Sequence, residues 1–151
     1  MLHRMKKKND INAGKWIGVG GKFEAEEGPI DCLLREAEEE TGLRLTACRF
    51  RGIVTFVAAG KETEQMFLFT ATAWEGELQA DCAEGELQWI PKAQLPQLAL
   101  WKGDEIFLRL LEEERPVFLL KLVYDAQDRL VEAALDGVPL SLPAAEEGEK
   151  E

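Results

Sequence analysis

Apolar and polar positions alternate along several stretches of the chain and recur at helical spacing along two others. Residues 49–58 and 65–74 are rich in β-branched and aromatic side chains. A polar segment containing Gly60 separates them, which predicts two strands joined as a hairpin. Residues 117–124 and 129–135 predict two further strands around a turn at 125–128, and 86–91 a short one. Residues 14–23, GKWIGVGGKF, read as a strand whose glycines allow a close backbone approach. The clearest helix covers 29–41. Pro29 suits its first position and Gly42 the position just past its end. On a helical wheel Ile30, Leu33, Leu34 and Ala37 share an arc of about 100°, which predicts that they form its buried stripe. Residues 103–114 predict a second helix, with Ile106, Phe107, Leu110 and Leu111 facing the core. Strands interleaved with two helices, without repeat or linker, imply a single α/β (α+β) domain over 1–142. The acidic segment 143–151 is expected to be a disordered tail.

The same wheel places Glu36, Glu39 and Glu40 in an arc beside the apolar stripe. Residues three or four apart on a helix lie about 5–6 Å apart at Cβ, so these carboxylates repel one another. Bound divalent cations would reverse the sign of that interaction. The chain carries 18 basic and 29 acidic residues, a net charge of −11. That excess disfavours nucleic acid polymers and anionic membrane surfaces as partners. It still permits an anionic small molecule where metal ions bridge carboxylate to phosphate. No apolar run reaches the roughly 18 residues of a membrane span, and the polar start has no secretory pattern. Three widely spaced cysteines, Cys32, Cys48 and Cys82, are most simply reduced thiols of a cytoplasmic protein. With His3 the single histidine, acid–base chemistry falls to carboxylates, Lys or Tyr.

Gly21 is followed after five residues by Glu27, and after seven more by Arg35-Glu36-Ala37-Glu38-Glu39-Glu40-Thr41-Gly42-Leu43. This resembles the Nudix hydrolase signature, G-x5-E-x7-R-E-U-x-E-E-x-G-U, at every fixed position, with Ala37 a small version of the aliphatic class. Chance would produce the seven fixed residues about once in 10⁷ placements. The resemblance implies a Nudix-like α/β/α sandwich with a mixed β-sheet and a loop–helix–loop that binds Mg²⁺ or Mn²⁺. Family members carry a further strand ahead of the stretch corresponding to residues 2–4. Met1 falls near that strand's end, so the N-terminal strand is expected to be wholly or partly missing. The implied reaction is hydrolysis of a diphosphate linked to another moiety. By the same resemblance Glu36, Glu39, Glu40 and the carbonyl of Gly20 serve as metal ligands or orient water. Glu27 and Arg35 form a supporting ion pair, and Glu36 is the first candidate for the general base, with Glu39 and Glu84 as alternatives.

Outside the motif, Lys15–Lys22, Glu84–Pro91, Leu100–Asp104 and 116–125 resemble the 8-oxo-dGTP diphosphatase subgroup of that family. This implies a further metal-facing carboxylate at Glu84, a base stacked on Trp101, a polar edge read by Asp104, and substrate contacts at Lys7 and Lys22. Animal enzymes of this type place an Asn where Ile17 stands, and Ile17 cannot hydrogen-bond through its side chain. The leading expectation is a nucleoside triphosphate pyrophosphohydrolase that removes oxidised purine nucleotides. The alternatives are hydrolysis of a dinucleoside polyphosphate or nucleotide sugar, a nucleotide-binding regulator without turnover, and an acidic metal-binding protein.

Overall fold

The structure is a computed structural model that describes residues 1–4, 12 and 14–143. Lys7 and the tail beyond residue 143 lie outside the described residues. The chain clusters into two compact units. The first contains Met1–Arg49 and Phe69–Glu105, and the second Phe50–Leu68 with the described residues from Ile106 on.

In the first unit, β1 (Leu2–Arg4) is paired antiparallel on both sides, with β2 (Trp16–Ile17) and with β6 (Gly85–Leu87), and β6 also pairs with β5 (Asp81–Cys82). The sheet order is therefore β2-β1-β6-β5. Leu2 sits opposite Ile17 on one side and Leu87 on the other and is 1% exposed, so one apolar rung crosses the sheet. Helix α1 spans Pro29–Thr41 as the sequence predicts. Asp31 accepts the N–H of Gly28 at 2.9 Å and satisfies an orphan donor at the helix start. Gly42 ends the helix in the left-handed region (φ 78°), its N–H donating to Glu38 O at 2.9 Å.

The buried stripe of α1 differs from the expected one. Cys32, Ala37 and Thr41 are buried, whereas Ile30 and Leu34 are 53% and 38% exposed. The helix is rotated so that Glu36 and Glu40 approach the glycine loop described below, and the half of the apolar arc holding Ile30 and Leu34 turns outward.

Strand β3 (Arg44–Ala58) and strand β4 (Glu64–Glu75) are neighbours in a five-stranded sheet and contribute residues to each unit. β3 starts at Arg44 rather than 49, and β2 is shorter than the predicted 14–23 strand. In the second unit β3 runs parallel to β7 (Phe118–Tyr124), with Gly52 opposite Phe118 and Ala58 opposite Tyr124. β7 also pairs antiparallel with β8 (Leu130–Leu135), and β8 with β9 (Val138–Pro139). The sheet is thus mixed, with order β4-β3-β7-β8-β9. Phe118, Leu120, Leu122 and Tyr124 alternate inward along β7. A Cβ on Gly52 would lie 2.4 Å from the Phe118 carbonyl oxygen, so only glycine permits this rung. Helix α2 spans Lys102–Glu112 and buries Phe107 and Leu110. The Leu111 carbonyl accepts a 3.1 Å hydrogen bond from the buried Arg51 guanidinium. Among the described residues no helix is long and apolar enough to cross a membrane.

Candidate active site

Every described residue singled out for chemistry falls in the first unit. The glycine segment ahead of α1 lies against the carboxylate face of that helix. A Cβ on Gly21 would stand 2.3 Å from Glu36 Cδ, so glycine is what lets the Glu36 carboxylate reach this backbone. The N–H of Gly20 donates to Glu40 Oε2 at 3.3 Å, and the Cys32 thiol to the Gly21 carbonyl at 3.6 Å.

Arg35 braces the loop. Its guanidinium meets Glu27 in a two-pronged pair at 2.7 and 2.8 Å and donates to the Lys22 carbonyl at 3.0 Å. The same group reaches Glu36 at 2.7 Å and Glu39 at 3.1 Å. Glu27 in turn accepts the N–H of Glu24 at 2.7 Å. Hydrogen bonds from Arg35, then from Glu24, hold Glu27 down at about 2. The Glu27 and Glu36 hydrogen bonds likewise raise the Arg35 pKa, so its positive charge is permanent. The expected Glu27–Arg35 pair is therefore present, and Arg35 extends it to the helix carboxylates.

Glu40 and Glu84 form the other side. Burial, followed by the charges of Glu84 and Glu36, pushes Glu40 up to about 7 against its ordinary 4.5. Arg4 donates to Glu84 at 2.8 Å and offsets part of that charge at Glu40. Among the described residues no three carboxylate, imidazole or thiol groups stand close enough to hold an ion as they are. Each carboxylate is tied to a protein donor: Glu36 and Glu39 to Arg35, Glu40 to Gly20, Glu84 to Arg4. The donor set nevertheless fits a hard divalent cation. It is all oxygen, and burial together with the charges of Glu84 and Glu36 disfavours the ionised form of Glu40, a cost that added positive charge would reduce. Sequence reasoning missed Arg4, a single basic residue in a short strand with no motif around it.

Trp101 and Asp104, the residues expected to meet a base, lie on and just after the segment leading into α2. Trp101 is half-buried, and its indole N–H donates to Asn12 Oδ1 at 2.8 Å. The Lys15 ammonium stands 4.8 Å from the indole ring centroid. Asp104 is only 8% exposed, and its N–H donates to the Trp101 carbonyl at 3.0 Å. Burial pushes its carboxyl up to about 7 from 3.8, opposed by the charge of Lys15 and aided by that of Glu105. The side chain of Lys22 is exposed; the contact shown at that residue is its carbonyl with Arg35.

Comparison with known proteins agrees with this geometry. A model described as the NUDIX domain matches residues 1–111. The oxidized purine nucleoside triphosphate hydrolase of Danio rerio is 34% identical over 134 residues, covering 87% of this chain and 84% of that protein. A Bacillus subtilis protein named as the uncharacterized Nudix hydrolase YvcI is 28% identical over 127 residues, 82% of this chain and 80% of its own. Among solved structures, the mutator MutT protein of Bacillus halodurans superposes with a TM-score of 0.80 at 28% identity. That match covers 91% of this chain and 89% of the other.

Proposed function

The chain belongs to the Nudix hydrolase family, and from that premise we propose that it is a nucleoside triphosphate pyrophosphohydrolase for oxidised purine nucleotides. The proposed reaction converts 8-oxo-dGTP to 8-oxo-dGMP and pyrophosphate with Mg²⁺ or Mn²⁺. One observation carries the purine reading. The buried Asp104 stands three residues after Trp101, its N–H bonded to the Trp101 carbonyl at 3.0 Å, in the same compact unit as the helix that presents Glu36, Glu39 and Glu40. The printed activity of the Danio rerio relative supports the same substrate class.

Glu36, Glu39, Glu40 and Glu84, with the Gly20 carbonyl, would hold the metal. When bound, it neutralises phosphate oxygens and lowers the pKa of water. Glu36 is the first candidate to take the proton of the attacking water, with Glu39 and Glu84 as alternatives. Glu27 and Arg35 keep the loop seated so that this group meets the phosphate at a fixed place. Phosphoryl transfer depends on such positioning and on charge stabilisation more than on covalent chemistry. Lys22 meets a phosphate and Lys7 is a further substrate contact, while at the other end of the substrate Trp101 stacks on the base and Asp104 hydrogen-bonds its polar edge. We read 1–142 as one domain, which the 91% coverage of the MutT comparison supports. A cytoplasmic location is part of the same proposal, and the thiols of Cys32, Cys48 and Cys82 support it.

The test is incubation with Mg²⁺ and a panel of 8-oxo-dGTP, dGTP, a dinucleoside tetraphosphate and ADP-ribose, with product identification. Pyrophosphate released fastest from 8-oxo-dGTP is the expected result. Cleavage confined to ADP-ribose or the tetraphosphate overturns the purine triphosphate reading, and binding without turnover overturns the catalytic one.

A further inference from the structure

Arg4 ends β1, the strand that is paired on both sides. Its backbone is fixed as well: its N–H donates to the Lys15 carbonyl at 3.0 Å, and its carbonyl accepts from the Gly14 N–H at 2.8 Å. Leu2 and Arg4, two apart along the strand, share its buried face, and Arg4 is only 9% exposed. An apolar side chain of similar volume would stabilise such a position at least as well, because taking a charge out of water is costly even when it is paired. Stability therefore does not account for a guanidinium here. Glu84 has the opposite setting. It lies between β5 and β6, and its side chain is 34% exposed. The next residue, Gly85, is opposite Arg4 in the β1–β6 ladder, and Arg4 Nη1 donates to Glu84 Oε2 at 2.8 Å. A loop carboxylate is thus moored to a central strand through one oxygen. Both members of the pair are near enough to Glu40 for their charges to act on it.

We propose that Arg4 is a positioning residue, which by holding Glu84 Oε2 keeps that carboxylate beside Glu40 and its other oxygen available to a divalent cation. The inference deepens the metal reading above and rests on it. A glutamate side chain without such a mooring samples several rotamers, and an ion that needs one of them must bear the cost of ordering it. The guanidinium suits the task because it is always charged and its donors form a rigid fork. Its charge also repels an arriving cation. The proposal is that the ordering of Glu84 outweighs this repulsion. Groups that hydrogen-bond a ligating carboxylate change metal affinity or activity about 10–100-fold when they are removed.

Mn²⁺ binding with and without 8-oxo-dGMP, read by electron paramagnetic resonance of the free ion, tests this in a double-mutant cycle of Arg4→Met and Glu84→Gln. Thermal melting verifies that each variant is folded, and Arg4→Gln takes the place of Arg4→Met if the latter is not. In each condition where wild type binds the ion, Arg4→Met should weaken Mn²⁺ about tenfold. In the Glu84→Gln background the same change should cost less than about twofold, because the group through which Arg4 acts is gone. Arg4→Lys, which keeps the charge and a donor, should recover most of the affinity. Equal losses in the two backgrounds, or no recovery in Arg4→Lys, would assign Arg4 to the strand alone and overturn the proposal. Unchanged or tighter binding by Arg4→Met would overturn it too, by showing that repulsion is the larger effect. A Glu84→Gln variant that binds Mn²⁺ like wild type would remove Glu84 from the ligands and the role of Arg4 with it. Absence of Mn²⁺ binding by wild type in both conditions would overturn the metal reading itself.

Discussion

Asp104→Asn removes a buried charge while keeping the shape of the side chain. Burial, opposed by Lys15 and aided by Glu105, holds this carboxyl at about 7 against 3.8. Each tenfold change in proton affinity is worth about 1.4 kcal/mol, so fully ionised Asp104 costs the fold about 4 kcal/mol. The sign follows from which state binds the proton. Below pH 3.8 the group is protonated in both the folded and unfolded chain and contributes nothing. Between 3.8 and about 7 only the unfolded chain ionises, so stability falls as pH rises; above about 7 the loss is complete. Urea unfolding of wild type and Asp104→Asn at pH 5 and pH 8 measures this. The stability of the variant relative to wild type should rise by about 3 kcal/mol between the two pH values. In melting temperature that is about 6 °C or more for a chain of this size. Taking the difference between the two proteins cancels other groups that titrate near 7, Glu40 among them. A difference that does not change with pH would refute the assignment of the strain to Asp104.

Glu40→Gln should lose more than about 100-fold in Mg²⁺-dependent pyrophosphate release yet keep its circular dichroism spectrum, because it removes a proposed ligand without removing bulk. Retained turnover would contradict that role. Gly21→Ala should push the Glu36 carboxylate off the loop, since the new Cβ would fall 2.3 Å from Glu36 Cδ. A side-chain end can yield, so stability should drop by only about 1 kcal/mol while turnover falls at least about tenfold. Gly52→Ala should act the other way. Its Cβ would meet the Phe118 carbonyl at 2.4 Å, and that backbone is fixed by the β3–β7 ladder. Chemical denaturation should show a loss of about 2–3 kcal/mol or more, and an unchanged midpoint would contradict the packing described.

The boundaries of α1 were legible because Pro29 and Gly42 act locally, through a fixed φ and a left-handed one. Its orientation was not. Apolarity alone favours burying Ile30 and Leu34, but the docking of Glu36 and Glu40 on the Gly20–Gly21 backbone turns them outward. β7 was readable because Phe118, Leu120, Leu122 and Tyr124 alternate inward. The first residues of β3, from Arg44, are largely exposed, so no hydrophobic period marks them as strand. β5 and β9 are two residues each, too short for any period. The ligand and brace residues stood out because their spacing is itself a motif. Arg4, Asn12 and Lys15 carry no spacing signal, and only the paired backbones bring them to Glu84 and Trp101.

The Arg35 contacts with Glu36 and Glu39 bear on how an ion enters. If those carboxylates ligate as proposed, an incoming cation does not fill a vacancy but replaces a tethered competitor that the chain supplies itself. Net affinity is then the difference between two attachments, and loading exchanges one positive charge for another. Such an exchange would leave the neighbouring helix carboxylates neutralised whether or not an ion is bound.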